Sequence, residues 1–358
     1  MKIYFALNEM THLRYFAPLV ICARNQGFGC EFLINSRGKY NCVSKHLPAL
    51  QSFCEGVGAT IAPAQDFNKT DQIIFCVEGA KGDHNKFASG LISLNNRIFV
   101  LTYQADFYFN YYVYKDFAEK IFLPSQYMID NAGKYKDHPH YCFDSSSSKN
   151  FPSGVPKYDV VLNKDSILQK YNLSSKPKAL FVFPNPGIGL SCGPLYKNGE
   201  QYGVIPDNLT LLYSTLHSLG FEILVKSRGK HPLLGPWKPF KGNRYLVDDS
   251  WFPHTTMELI EISDLVINVD STTIKEAVLG HKPILNFSLR RPEAMIKGYD
   301  FLYNYSYCKS FDSFPKEAAL RDNIEQLTCG DFSAQFKEAA AAHLFEKGTV
   351  CDTILQEI

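Results

Sequence analysis

The chain alternates short apolar runs with amphipathic stretches from its start. Lys2 to Leu7 reads as strand, Leu13 to Asn25 as helix, Cys30 to Asn35 as strand and Leu47 to Gly56 as helix. Short strands follow at Thr60 to Pro63, Ile73 to Glu78, Ile98 to Thr102 and Lys120 to Pro124. Alternation with short turns predicts an α/β architecture in which helices wrap a parallel sheet. Phe143 to Gly154, with Ser145 to Ser148 and Pro152, reads as a linker or loop.

Beyond it the pattern restarts. Ala179 to Phe183 is a strand entering Pro184-Asn185-Pro186-Gly187-Ile188-Gly189, Leu211 to Leu219 is a helix ended by Gly220, and Phe221 to Lys226 is a strand. Arg244 to Val247 continues the sheet, and Thr256 to Ile262 is a helix. The last helical stretch, Ala334 to Phe345, is Ala-rich and amphipathic and is expected to pack across the back of a domain, the first being one choice. Two doubly wound domains are therefore expected, 1–150 and 151–358, with ligands in a central cleft outside the carboxyl ends of the strands.

The densest signal lies between Leu265 and Phe287: a buried strand, a hydroxyl-rich turn, a helix and a second buried strand. Asp270, Ser271, Thr272 and Thr273 supply cap-type side chains where the helix begins, and Glu276 sits on its first turn. Unpaired N–H groups and a positive dipole end beside small hydroxyls suit a phosphate, with Glu276 toward an attached sugar; an ordinary capped helix is the alternative.

A chain of 358 residues with 45% apolar and 20% charged residues is a soluble globular composition of about two domains. Its formal net charge of +1 offers no field to draw nucleic acid, so no nucleic-acid partner is expected. The lack of a long apolar run and of a signal-peptide pattern in residues 1–20 points to a cytoplasmic protein. Ten cysteines are scattered without a CxxC pair or a close Cys/His set, which favours reduced, mostly buried thiols over zinc or disulfides. Tyr108, Phe109, Tyr111, Tyr112 and Tyr114 cluster, as core in the simplest reading and otherwise as a groove wall or membrane-facing patch.

Asp270-Ser271-Thr272-Thr273-Ile274-Lys275-Glu276-Ala277 ahead of Gly280-His281-Lys282-Pro283-Ile284, on two doubly wound domains, resembles the GT-B fold. The chain is most similar there to glycosyltransferases and CDP-glycerol glycerophosphotransferases of bacterial surface polymers, and to the related UDP-GlcNAc 2-epimerases. The order of other landmarks agrees: Phe122-Leu123-Pro124-Ser125, Gly154-Val155-Pro156-Lys157-Tyr158-Asp159, the Pro-Asn-Pro-Gly loop at 184–187, Lys226 with His231-Pro232, and Met257 to Asp264. The resemblance covers most of the second domain and is architectural in the first. It implies a nucleotide-sugar donor on the second domain, a glycan or lipid-linked acceptor on the first, and peripheral contact with the inner face of a membrane. Ser271, Thr272 and Thr273 would then face the donor phosphates and Glu276 the ribose, with Asn185 and Gly187 in the donor-side loop. Epimerases usually carry two glycines where this chain has Thr272 and Thr273, and the first domain lacks their histidine and glutamate signatures, so an epimerase is disfavoured.

Transfer needs charge stabilisation on the leaving phosphate, a base for the acceptor hydroxyl and a grip on the nucleoside. Lys226-Ser227-Arg228-Gly229-Lys230-His231 is the densest basic segment and follows a strand, so Lys226 and Arg228 are donor-side candidates, against a solvated loop. His231-Pro232 is similar to the His-Pro motif of transferases using CMP-linked sugars and of the glycerophosphotransferases, in which the histidine helps neutralise the leaving phosphate. His254, just before a helix, is its rival and would touch the base. Glu9 or His12, in Asn8-Glu9-Met10-Thr11-His12, would accept the acceptor proton, the alternative being that Asn8 and Thr11 merely cap a helix; Asp106 is a further candidate base. Asp248-Asp249 leads into an aromatic turn, and the metal-binding acidic pair it suggests belongs to a single-domain architecture, so neither metal nor cofactor is expected beyond the nucleotide donor as substrate. The leading expectation is a glycosyltransferase using a CMP-, CDP- or UDP-linked sugar. The alternatives are transfer of glycerol phosphate or another polyol phosphate from a CDP-linked donor, and a non-catalytic nucleotide-sugar binding subunit.

Overall fold

The computed structural model describes residues 1–34, 43–77, 95–102, 116–137, 141–182, 195–197, 200–202, 206–227, 238, 240–247, 251–269, 271–287, 300–311 and 313–358. It divides into two compact units, one built of Met1–Val160 with Ala342–Ile358 and the other of most of the chain between Val161 and Ala341.

Among the described residues, the first unit holds a seven-stranded parallel sheet. Its strands are β1 (Lys2–Leu7), β2 (Gly29–Ile34), β3 (Thr60–Pro63), β4 (Ile73–Val77), β5 (Arg97–Leu101), β6 (Ala118–Leu123) and β7 (Asn150–Pro152), in the order β3-β2-β1-β4-β5-β6-β7. The central strands are apolar on both faces because both are covered; all five residues of β4 are buried. The chain winds outward from β1 to β3 and returns to lay β4 against β1, so the winding reverses between the carboxyl ends of β1 and β4.

A row of phenylalanines crosses this sheet: Phe32, Phe5, Phe75, Phe99 and Phe122 are fully buried on neighbouring strands. Phe5 and Phe75 are register partners with rings 5.7 Å apart, and Phe75 and Phe99 likewise at 5.5 Å. Each ring contributes about 1.5–3 kcal/mol by burial, and aromatic pairing adds about 0.5–1.5 kcal/mol per contact.

The stretch expected as a linker is partly sheet. Asn150–Pro152 pairs with β6 as an edge strand, where a proline lacking an N–H is tolerated. Asp144 shapes the preceding turn, its carboxylate accepting from the Ser146 amide at 3.0 Å and its carbonyl from Asn150 Nδ2 at 2.8 Å. The helix expected to end at Gly56 runs through Val57, because the left-handed cap (φ 69°) falls on Gly58. After the helix Ser333–His343, a further short helix, Val350–Gln356, packs on the helix Leu13–Asn25 within the first unit through Val350, Cys351, Ile354 and Leu355.

The second unit carries, among its described residues, a six-stranded parallel sheet of β8 (Lys178–Val182), β11 (Glu222–Ser227), β12 (Arg244–Val247), β13 (Leu265–Asn268), β14 (Ile284–Phe287) and β15 (Cys308–Phe311). A small antiparallel hairpin, β9 (Leu195–Lys197) and β10 (Glu200–Tyr202), stands apart from it. The order is β12-β11-β8-β13-β14-β15, so the winding reverses between β8 and β13. On one face Phe181, Val225, Ile267 and Leu285 meet Leu212, Tyr213 and Leu216 of the helix Pro206–Ser218 and Leu320, Ile324 and Leu327 of the helix Glu317–Cys329. By strand alternation Lys226, Val182, Asn268, Asn286 and Ser310 share the other face, at the carboxyl end of the sheet.

Candidate functional site

At the second unit's switch point, β13 ends at Asn268 and the helix Thr273–Leu279 follows after a short turn. Thr272, at the N-cap position, makes no side-chain cap bond and has helical backbone angles, so the expected hydroxyl cap does not come from it. Ser271 fills that role in part: its Oγ accepts from the Thr273 N–H at 3.4 Å and lies 3.1 Å from Thr273 Oγ1. Thr272 is exposed and Ser271 half-buried, which leaves the hydroxyl turn open on one side. Glu276, one turn along, is buried at 8% exposure.

Lys226, second to last in β11, is 4% exposed and stands in register with Val182 at the end of β8. This buries a cationic side chain at the carboxyl edge of the sheet. His254, 7% exposed, occupies the N-cap of the helix Thr255–Ile262, where its carbonyl accepts from the Met257 N–H at 2.9 Å. The parallel sheet thus brings Lys226 and Ser271 to Thr273 to its carboxyl edge, in or just beyond β11 and β13, while His254 heads the helix that comes after β12.

In the first unit, Glu9 and His12 follow β1 at that unit's switch point. Glu9 is half-buried and its carboxylate accepts from the Thr11 hydroxyl at 3.1 Å. His12 is 3% exposed, and its N–H donates to the Glu9 carbonyl at 3.0 Å. Neither Glu9, at the N-cap of the short helical turn Met10–His12, nor His12, at that of the helix Leu13–Asn25, makes a side-chain cap bond. Asp106, Asn185, Gly187, Arg228 and His231 lie outside the described residues, as do Asp270, Asp248-Asp249 and the aromatic cluster at 108–114. Among the described residues no three His, Cys, Asp or Glu side chains gather as metal ligands, and no helix is long and apolar enough to cross a membrane.

The sequence reading passed over two asparagines. Asn268 (0% exposed) and its register partner Asn286 (1%) each interrupt an otherwise apolar strand, and Asn268 Nδ2 donates to Asn286 Oδ1 at 3.0 Å. The signal was present as the same polar residue in Leu-Val-Ile-Asn and Ile-Leu-Asn-Phe.

No protein-family model matches the chain, and no curated protein matches it significantly in sequence. Its structural neighbours are GT-B glycosyltransferases and UDP-GlcNAc 2-epimerases. The UDP-GlcNAc 2-epimerase from Neisseria meningitidis, bound to UDP-GlcNAc, superposes with a TM-score of 0.58 at 12% identity over 99% of this chain and 99% of that one. The kitacinnamycin glycotransferase gives 0.54 at 9% identity, over 100% and 98% of the two chains. The wall teichoic acid polymerase TagF gives 0.52 at 12%, over 99% of this chain and 88% of that one. At such identities the likeness is one of architecture: this chain has the two-domain α/β fold of the GT-B class.

Proposed function

We propose that the protein is a glycosyltransferase that moves a sugar from a CMP-, CDP- or UDP-linked donor to a surface glycan or glycolipid acceptor. The observation that carries this reading is the placement of buried Lys226 at the end of β11 and of the Ser271–Thr273 turn just after β13, on the two strands that flank β8 at the sheet's switch point. In this assignment the hydroxyl turn and Lys226 take the donor phosphates, Glu276 the ribose and His254 the base. Lys226 opposes the negative charge that grows on the leaving phosphate as the glycosyl C–O bond breaks. Glu9 takes the proton of the acceptor hydroxyl, an assignment supported by its half-buried position just after β1, at the first unit's switch point.

A second reading, transfer of a polyol phosphate from a CDP-linked donor, is supported by the likeness to TagF. A thermal-shift and calorimetric panel of UDP, GDP, CDP, CMP, their sugars and CDP-glycerol separates the two. A ligand at 100 times its dissociation constant raises stability by about 2.7 kcal/mol. A shift with a nucleotide sugar and none with CDP-glycerol supports sugar transfer, and the converse supports the second reading. Failure of every nucleotide to bind overturns both. Conversion of UDP-GlcNAc to its 2-epimer, without an acceptor, would replace them with epimerase activity.

A further inference from the structure

We propose that Asn268 and Tyr303 are positioning residues, which hold the turn after β13 in the orientation that recognises the phosphates of a nucleoside diphosphate. The inference rests on the donor-site reading above and adds two residues to it.

Asn268 is wholly buried, where an apolar side chain would serve the sheet at least as well, since a buried amide gains little net stability from its hydrogen bonds. Its Nδ2 faces three acceptors: Asn286 Oδ1 at 3.0 Å, the Tyr303 hydroxyl at 3.1 Å and the Ser271 carbonyl at 3.4 Å. An amide has two protons for these, so the longest contact is shared. The Tyr303 hydroxyl, accepting from Asn268, donates to the same Ser271 carbonyl at 3.4 Å. The Ile274 N–H reaches that carbonyl as well, at 3.2 Å.

The Ser271 carbonyl is therefore turned toward the buried network. A trans peptide points its C=O and N–H in opposite directions, so the Thr272 N–H is turned away from the network, at a residue that is exposed. The same constraint fixes the backbone beneath the Ser271 and Thr273 hydroxyls, which lie 3.1 Å apart. Asn286 is fixed in turn by its Nδ2 bond to Ser310 Oγ at 3.4 Å, so the register of β13, β14 and β15 is transmitted to the turn. Asn268 Oδ1, fully buried, has no hydrogen-bond partner among the described residues, a second sign that this amide is not retained for stability alone.

The test is calorimetry on the full chain with UDP, CDP, uridine and cytidine, comparing wild type with Asn268→Leu and Tyr303→Phe. Each variant should lose about tenfold in affinity for the diphosphate that wild type binds, with nucleoside affinity within about twofold. A residue that merely supports the fold would alter both ligands alike. Folded variants with wild-type diphosphate affinity, or with equal losses for diphosphate and nucleoside, overturn the inference while leaving the donor site standing. Wild type that binds none of the four overturns the donor reading itself and this inference with it. Tyr303 is only half-buried, so its variant decides the matter if Asn268→Leu does not fold.

Discussion

Gly154 and Phe345 leave no room for a side chain between them. Gly154 has φ +88°, and a Cβ there would lie 2.6 Å from Phe345 Cγ and 2.8 Å from Val350 Cγ2. Phe345 also stacks on Tyr158, with ring centroids 5.8 Å apart, and the Asp159 carboxylate accepts from the Gly348 and Cys351 N–H groups. The carboxyl-terminal segment is thus keyed into the first unit at a position only glycine can occupy without strain. Gly154→Ala should lower stability by about 2–4 kcal/mol, adding backbone strain to overpacking. Urea unfolding checks it, and wild-type stability would mean the segment is not docked in this way.

Two buried glutamates on adjacent helices should respond in opposite ways to truncation. Glu258, 4% exposed, accepts from Lys170 Nζ at 2.7 Å and from the Tyr171 hydroxyl at 2.6 Å, tying the helix Lys164–Lys170 to its own. Glu258→Ala should cost about 3 kcal/mol of stability and leave nucleotide affinity intact. Glu276→Ala should instead raise the nucleotide dissociation constant by about 10-fold to 100-fold, the loss of one charge-assisted hydrogen bond, at near-native stability. Calorimetry and thermal melts on both variants decide it; the reverse pattern would remove Glu276 from the donor site.

Much of the fold was legible because each element is encoded locally. The strand Lys2–Leu7 and the helix Leu13–Asn25 follow from apolar periodicity, and the hydroxyl turn at 271–273 from residue type. What depends on register was not legible. Phe5, Phe75 and Phe99 look like isolated aromatics until parallel pairing stacks them, and Asn268 and Asn286 become a bonded pair only through the same kind of alignment. Nor does the sequence distinguish Glu9 from His12, whose exposures differ because one heads the short turn after β1 and the other closes it inward.

The thiols give a test of burial that is independent of function. Burial pushes Cys30 and Cys54 up to about 11 and Cys76 up to about 12. Burial, reinforced by the hydrogen bond to Asp352, lifts Cys22 to about 12. Alkylation proceeds through the thiolate, and a raised pKa shrinks the thiolate fraction at pH 8 roughly 100-fold or more. Iodoacetamide on the native protein should therefore modify exposed Cys329 well before Cys76, read site by site with mass spectrometry. A Cys76 adduct forming as fast as that at Cys329 would contradict the packing of β4.

The sharpest test of the proposed chemistry separates donor binding from turnover. Lys226 is buried at the end of β11, and charge it opposes only in the transition state affects kcat more than binding. Lys226→Ala should lower kcat about 100-fold to 1000-fold. Glu9→Ala should lower it about 100-fold to 10,000-fold, with donor affinity unchanged, as expected for loss of a base that touches only the acceptor. His12→Ala should cost less turnover than Glu9→Ala, because His12 is 3% exposed whereas Glu9 is half open. Thr11→Val serves as a control: it removes the hydroxyl that donates to Glu9 at 3.1 Å and should change kcat only modestly. Steady-state kinetics with the donor identified by the nucleotide panel read all four. Near-native turnover in both Glu9→Ala and His12→Ala would remove the base from the loop after β1 and direct the search to Asp106.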